Sequence, residues 1–142
     1  MKIVLDTNCL LPAIFENSPY FWLWEAFGED KFSLCCSTEI LEEYEELLAS
    51  FYSVEISESV INTITNASNF VPIVPYFKWN LIVSDPEDNK FADCALNAGA
   101  DYIVTNDKHF NILKEMNFPY VKTINIETFK QIILRSPFSI LN

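Results

Sequence analysis

Residues 1–8 read MKIVLDTN, a short apolar run that ends in the polar residues Asp6, Thr7 and Asn8. A strand buried in a parallel sheet is apolar along its length and delivers polar residues to the loop at its carboxyl end. We therefore predict that residues 1–5 form the first strand of a parallel sheet and that Asp6 lies just past the edge of that sheet.

Outward from this strand, apolar strands alternate with segments that favour helices. Further strands are predicted at 31–36, 71–74, 102–105 and 121–124. Helices are predicted within 9–29 and at 38–51, 57–69, 85–99, 108–117 and 127–135. Strands and helices in alternation are typical of a parallel sheet flanked by helices, so the predicted fold class is α/β.

The bulk composition indicates a compact chain with a single core. At 142 residues it suits one domain, 1–142, because two cores would leave each half too small to be stable. Half of the residues are hydrophobic and only two are Gly, which argues against a disordered chain. With neither an apolar run of about 18 residues nor a secretory signal, we expect no membrane span and a cytoplasmic location.

The net charge argues against a general nucleic-acid binder, and the cysteine content argues against a zinc site. The net charge of −11 is not that of a general nucleic-acid binder, although a metal held by carboxylates reverses the sign of charge locally. The four cysteines show no C-x-x-C spacing and there is one histidine, so the pattern of a zinc site is absent. Buried free thiols are expected instead.

Two aspartates follow the carboxyl ends of predicted strands. Asp6 follows the first strand and Asp107 follows the strand at 102–105. Loops at this edge of a parallel sheet converge on a crevice, so both aspartates are candidate site residues. Asp101 precedes its strand and is expected at the opposite edge, in a structural role.

Two further carboxylates are placed by helical spacing. Asp88 heads the stripe formed by Phe91, Ala92, Ala95 and Leu96, where a charge is either a helix cap or part of a site that holds a cation. In the preceding acidic helix, Glu43 lies at the margin of the apolar stripe, whereas Glu42 and Glu46 point away from it. The alternative for this acidic run is a solvated helix face.

Several carboxylates brought together repel one another unless divalent cations bind between them, and hard oxygen ligands suit Mg²⁺ or Mn²⁺. Such ions support phosphodiester hydrolysis without a catalytic His or Cys. The scarcity of both residue types in this chain is consistent with that chemistry.

Four motifs carry a resemblance to a known family. They are Ile3-Val4-Leu5-Asp6-Thr7-Asn8, Ser37-Thr38-Glu39-Ile40-Leu41-Glu42-Glu43-Tyr44, Asp85-Pro86-Glu87-Asp88-Asn89-Lys90-Phe91 and Ala100-Asp101-Tyr102-Ile103-Val104-Thr105-Asn106-Asp107. In order and spacing the chain resembles the PIN-domain family over about residues 2–126, and in particular the VapC-like toxin components of toxin–antitoxin pairs.

The resemblance implies a three-layer α/β/α sandwich with a central parallel sheet and an endoribonuclease that depends on Mg²⁺ or Mn²⁺. It maps the catalytic and metal-binding residues onto Asp6, Glu43, Asp88 and Asp107. It also implies an RNA substrate and an antitoxin partner. Aromatic residues within 20–27 would suit a homodimer or an antitoxin peptide if they are exposed, although a helix rich in Trp and Phe is more often part of the core. The supporting or substrate-contacting residues are expected to be Asn8, Thr105 and Asp93.

For the polar residues next to these acids, a structural role or a position in solvent is expected. Asp93 lies about 140° round its helix from Asp88, and solvent exposure is the favoured expectation for it. Lys90 and Lys108 are expected to be surface charges, and His109 to lie at the surface or at a helix start.

Two other classes of function share some of these sequence features. A receiver-like phosphoacceptor domain also has aspartates at the carboxyl edge of a parallel sheet. It requires an acidic pair after the first strand, where Asp6 is single, and a late-strand lysine for which the strand at 121–124 presents no equivalent. A non-catalytic PIN-fold module that binds RNA or a partner is the closer alternative, although all four carboxylate positions are occupied here.

Overall fold

The computed structural model describes residues 1–82, 86–115 and 120–135. The strands in these ranges are all parallel: β1 (Lys2–Leu5), β2 (Ser33–Cys36), β3 (Phe70–Pro72), β4 (Tyr102–Val104) and β5 (Thr123–Ile124). They form one sheet in the order β3-β2-β1-β4-β5. The predicted parallel sheet is confirmed.

Helices cover both faces of this sheet, which makes a PIN-like three-layer α/β/α sandwich and confirms the expected fold class. The α-helices are α1 (Thr7–Leu10), α2 (Phe21–Gly28), α3 (Thr38–Phe51), α4 (Val54–Asn66), α5 (Asn89–Ala98) and α6 (Ile126–Arg135). Short 3-10 helices span Leu11–Ala13, Pro86–Asp88 and Lys108–Glu115.

Helix α3 is anchored at both its cap and its buried face. The Ser37 hydroxyl accepts a hydrogen bond from the Ile40 amide at 3.3 Å, as predicted for an N-terminal cap. Tyr44 is fully buried, and its hydroxyl donates to the Leu5 carbonyl oxygen at 2.5 Å. This bond holds the middle of α3 against the carboxyl end of β1.

Helix α5 ends as predicted but begins differently. Gly99 has φ of +63°, a left-handed conformation that favours glycine at a helix C-terminus. At the other end, a 3-10 turn over Pro86–Asp88 precedes the α-helix, and the Asp88 side chain makes no capping hydrogen bond. The predicted start at Asp85 lies outside the described residues.

The predicted bounds of α4 and β3 were wrong by a few residues. Ser53, not Ser57, starts the helix, because its hydroxyl accepts from the Ile56 amide at 3.1 Å. Ser57 is buried and donates to the Glu45 carbonyl oxygen at 2.7 Å. The following strand is Phe70–Pro72 rather than 71–74, because Phe70 pairs with Leu34 of β2.

Two predicted helices are interrupted or wound differently. The segment 9–29 contains α1, a 3-10 turn and α2, consistent with Pro12 and Pro19 lacking the amide hydrogen that a continuous helix needs. The segment predicted at 108–117 is a 3-10 helix over Lys108–Glu115, and residues 116–117 lie outside the described ranges. Phe110 and Leu113 are both buried there, and their spacing of three suits three residues per turn.

Two smaller predictions are confirmed. All four cysteines are buried and free. Asp101 lies at the amino edge of the sheet, where its Oδ2 accepts from the Lys2 amide at 2.9 Å, a structural role. Within the described ranges, no helix is both long enough and apolar enough to cross a membrane.

Candidate active site

The candidate site lies where the order of the strands reverses along the chain. β1 pairs with β2 on one side and β4 on the other, and Leu5 is in register with Val104. Asp6 follows β1, and its amide donates to the Val104 carbonyl oxygen at 3.0 Å. In open parallel sheets a crevice forms at this reversal, outside the carboxyl ends of the strands.

Asp6 is buried and held by its neighbours. Its Oδ2 accepts from the Thr105 hydroxyl at 2.8 Å, and its Oδ1 accepts from the Asn8 amide at 3.4 Å. Burial raises the pKa of Asp6, the two hydrogen bonds oppose the rise, and the nearby carboxylates of Asp107 and Glu43 add to it. Burial is the main cause of the raised pKa, and the charges of Asp107 and Glu43 show that two further acids lie near Asp6.

Asp107 and Asp88 approach one another on the β4 side of the crevice. The Asp107 amide donates to the Thr105 hydroxyl at 3.0 Å, which fixes the start of the loop after β4. His109 lies between the two acids, with its Nδ1 3.3 Å from Asp107 Oδ1 and 3.5 Å from Asp88 Oδ2. A chain of contacts therefore runs from Asp6 through Thr105, Asp107 and His109 to Asp88.

Glu43 reaches the site from α3. It is half-buried, whereas Glu42 and Glu46 are exposed, as the helix-face analysis predicted. One of its carboxylate oxygens accepts from the Thr7 hydroxyl, and the other lies 2.8 Å from the Lys90 ammonium. Thr7 directly follows Asp6, so Glu43 lies beside the carboxyl end of β1.

Lys90 is not the surface charge that its sequence position indicated. Its side chain is only 10% exposed and also lies 3.5 Å from Glu87. Burial lowers the pKa of Lys90, but the hydrogen bond and negative charge of Glu43, with Glu87, outweigh burial and raise it. The ammonium is therefore a fixed positive charge inside an acidic site.

The expectation of solvent exposure for Asp93 was wrong. Asp93 is 6% exposed, and its Oδ1 accepts from the Trp79 amide at 2.9 Å. The segment after β3 lies against this part of α5, where the amides of Tyr76 and Trp79 donate to Asn97 and Asp93. Asn8, by contrast, is exposed, and its backbone amide rather than its side chain makes the bond to Asp6.

Potential metal-ligand atoms form one compact group in the described part of the chain. Single ligand atoms of Asp88, Asp107 and His109 all lie within 4.8 Å of one another. Asp6 and Glu43 lie outside this group; Thr105 joins Asp6 to Asp107, and Glu43 is near enough to Asp6 to raise its pKa. His109 is exposed in the first turn of the 3-10 helix, as expected, but its contacts with Asp88 and Asp107 were not predicted. The signal was its position two residues after Asp107, which allows its side chain to reach the same crevice.

Two grooves lead to this edge of the sheet. One, of about 250 Å³, is lined by polar residues that follow β4 and β5, including Thr105, Asp107 and Lys114. The other, of about 180 Å³, lies between the start of α3 and the start of α5 and includes Lys78 and Lys90. Both are open to ligands that approach the carboxyl ends of the strands.

Comparison with known proteins gives a family match and a structural neighbour. The family model described as a PIN domain matches residues 2–109. A chain in the crystal structure of VapBC2 from Rickettsia felis, bound to a DNA fragment from their promoter, superposes with a TM-score of 0.61 and 18% identity. The match covers 88% of this chain and 98% of that chain, and at this identity it establishes the fold. No curated protein matches the chain.

Proposed function

Because the chain belongs to the PIN-domain family, we propose that it is a divalent-metal-dependent endoribonuclease that hydrolyses RNA phosphodiester bonds. The observation that carries this proposal is the gathering of Asp6, Glu43, Asp88 and Asp107 at one edge of the sheet. We further propose that the chain is one cytoplasmic domain, 1–142, and the toxin of a toxin–antitoxin pair. The likeness to a chain of VapBC2 supports the proposed role as a toxin.

The donor set fits a hard divalent cation. Asp88 and Asp107 offer carboxylate oxygens within 4.8 Å of each other, close to the separation of about 4.2 Å between opposite ligands of one Mg²⁺ or Mn²⁺ ion. Burial is the main cause of the raised pKa of Asp6, the carboxylates of Asp107 and Glu43 add to it, and a bound cation would offset that added negative charge. Asp88 and Asp107 would hold Mg²⁺ or Mn²⁺, with Asp6 and Glu43 completing the acidic surround. Such an ion supplies Lewis-acid catalysis to phosphodiester hydrolysis.

The remaining residues fix these acids in position. Thr105 orients the Asp6 carboxylate through one hydrogen bond and the Asp107 backbone through another. Thr7 and Lys90 orient the two oxygens of Glu43. A site whose acids are already held in place loses little free energy to rearrangement when a cation and a phosphate bind.

The proposal is tested with purified protein and a single-stranded RNA of mixed sequence in Mn²⁺, Mg²⁺ or EDTA. Cleavage is expected with metal and not with EDTA. Asp6→Asn, Glu43→Gln, Asp88→Asn and Asp107→Asn should each lower the rate by about a hundredfold or more. Glu46→Gln is the matched control, because Glu46 is exposed on the same helix as Glu43 and should retain the wild-type rate.

Two outcomes would count against the proposal. An equal loss at Glu46 would undo the helix-face argument for Glu43. Absence of cleavage in either metal, with the protein folded, would favour the non-catalytic module that binds RNA or a partner. An antitoxin partner and a homodimer are separate parts of the proposal, tested by co-purification with the neighbouring gene product and by the solution mass of the chain.

A further inference from the structure

His109 lies against the two carboxylates that the proposed function assigns to the metal. Its Nδ1 is 3.3 Å from Asp107 Oδ1 and 3.5 Å from Asp88 Oδ2. The PIN resemblance implies a set of acidic ligands and assigns no role to a histidine. The imidazole is therefore a donor group at the site that the proposed nuclease does not yet use.

The spacing of these three side chains is slightly wider than that of ligands around one ion. With metal–ligand bonds of about 2.1 Å, adjacent ligands at right angles lie about 3.0 Å apart and opposite ligands about 4.2 Å apart. The separations from Nδ1 to the two oxygens are slightly longer than the first value, and the whole group spans less than 4.8 Å. A small contraction of the side chains would bring all three into coordination distance.

The backbone holds His109 in this place. Its amide donates to Asp107 Oδ1 at 2.9 Å, and the next residue, Phe110, is buried in the core. The imidazole itself is 47% exposed, so an ion can reach it from solvent. The nitrogen is thus positioned by the loop after β4 while remaining accessible.

We propose that His109 Nδ1 binds the same divalent ion as Asp88 and Asp107 and sets the metal preference of the site. Mg²⁺ strongly prefers oxygen ligands, whereas an imidazole nitrogen adds affinity for first-row transition metals. The site should therefore favour Mn²⁺ over Mg²⁺ more strongly than a site made of carboxylates alone. This inference rests on the proposed function, since it concerns the same ion.

The composition of the chain makes the test sharp, because His109 is its one histidine. Pulsed EPR of the tag-free protein with bound Mn²⁺ should detect the hyperfine coupling of an imidazole ¹⁴N nucleus. His109→Gln should abolish that coupling, and Lys108→Gln, a change at the exposed neighbour, should retain it. Titration should show the Mn²⁺ dissociation constant of His109→Gln raised about tenfold, with that of Mg²⁺ changed by less than about threefold.

The outcomes separate this inference from the proposed nuclease. Bound Mn²⁺ without imidazole coupling in the wild-type protein, together with metal-dependent RNA cleavage, would refute the role of His109 and leave the nuclease standing. An equal loss of Mg²⁺ and Mn²⁺ affinity in His109→Gln would refute the claim of metal preference. If neither ion binds the folded protein and no RNA is cleaved, both proposals fail.

Discussion

The ion pair between Lys90 and Glu43 allows a quantitative prediction about the stability of the site. Lys90→Met preserves most of the side-chain volume but removes the charge that lies 2.8 Å from the Glu43 carboxylate. Glu43 keeps its hydrogen bond from Thr7, so the carboxylate loses one of its two partners. We expect the free energy of unfolding to fall.

The size of the loss follows from how far the pair is buried. Exposed ion pairs contribute about 0.2–1 kcal/mol, whereas breaking a buried pair costs about 3–5 kcal/mol. The Lys90 side chain is 10% exposed and that of Glu43 is 27% exposed, so the pair lies between these limits. We expect a cost of about 2 kcal/mol, which lowers Tm by roughly 6 °C in a chain of this size.

The assay is urea unfolding in EDTA, so that no bound cation adds to the stability. A double-mutant cycle of Lys90→Met and Glu43→Gln isolates the coupling energy between the two side chains. The matched control is the same cycle on Lys31 and Glu29, a pair with a similar separation of 3.1 Å but 57% exposure at the glutamate. Its coupling energy should be below about 1 kcal/mol.

The two cycles decide whether Lys90 is held inside the site or is an ordinary surface cation. A coupling energy for Lys90 and Glu43 no larger than that for Lys31 and Glu29 would refute the reasoning. A single substitution that lowers stability without coupling to Glu43 would instead assign the loss to packing, since Lys90 also lies 5.7 Å from the ring centroid of Phe91.

Two further predictions concern the surroundings of the site. Asp93→Ala removes the carboxylate that accepts from the Trp79 amide, so hydrogen exchange at that amide should accelerate about tenfold or more. Unchanged exchange would show that other contacts hold this segment. Gly99→Ala should cost about 1 kcal/mol in urea unfolding, because φ there is +63° and no atom crowds the new Cβ. Gly28→Ala, equally uncrowded but without positive φ, should cost nothing; an equal loss at both positions would contradict the backbone argument.

The parts of the site that sequence predicted are those set by regular structure. Asp6 and Asp107 were placed by one rule, that polar residues after parallel strands collect at the carboxyl edge of the sheet. Glu43 was placed by helical phase, because 100° per residue separates it from Glu42 and Glu46. Both rules depend only on repeating geometry, which a sequence displays directly.

The contacts that the sequence did not predict involve loops or residues far apart in the chain, where no regular periodicity applies. Asp93 was expected in solvent because helical phase describes its own helix and not the segment around Trp79 that covers it. Lys90 was expected at the surface because its partner is Glu43, 47 residues earlier in the chain and on another helix. His109 reaches Asp88 only through the fold of the loop after β4. Residue periodicity does not predict contacts of this kind, because they are set by the tertiary structure.

The placement of Lys90 also bears on how an acidic chain would bind RNA. The net charge is −11, and exposed acids line the outer face of α3. The Lys90 ammonium lies 2.8 Å from Glu43, but its charge is already matched by Glu43 and Glu87, so little of it is available to a phosphate. The attraction for phosphate at the centre of the site would therefore come mainly from a bound cation, with exposed lysines such as Lys108 and Lys114 at the rim. In the proposed nuclease the divalent ion would therefore serve RNA binding as well as catalysis, which would account for the lack of the basic surface that general nucleic-acid binders have.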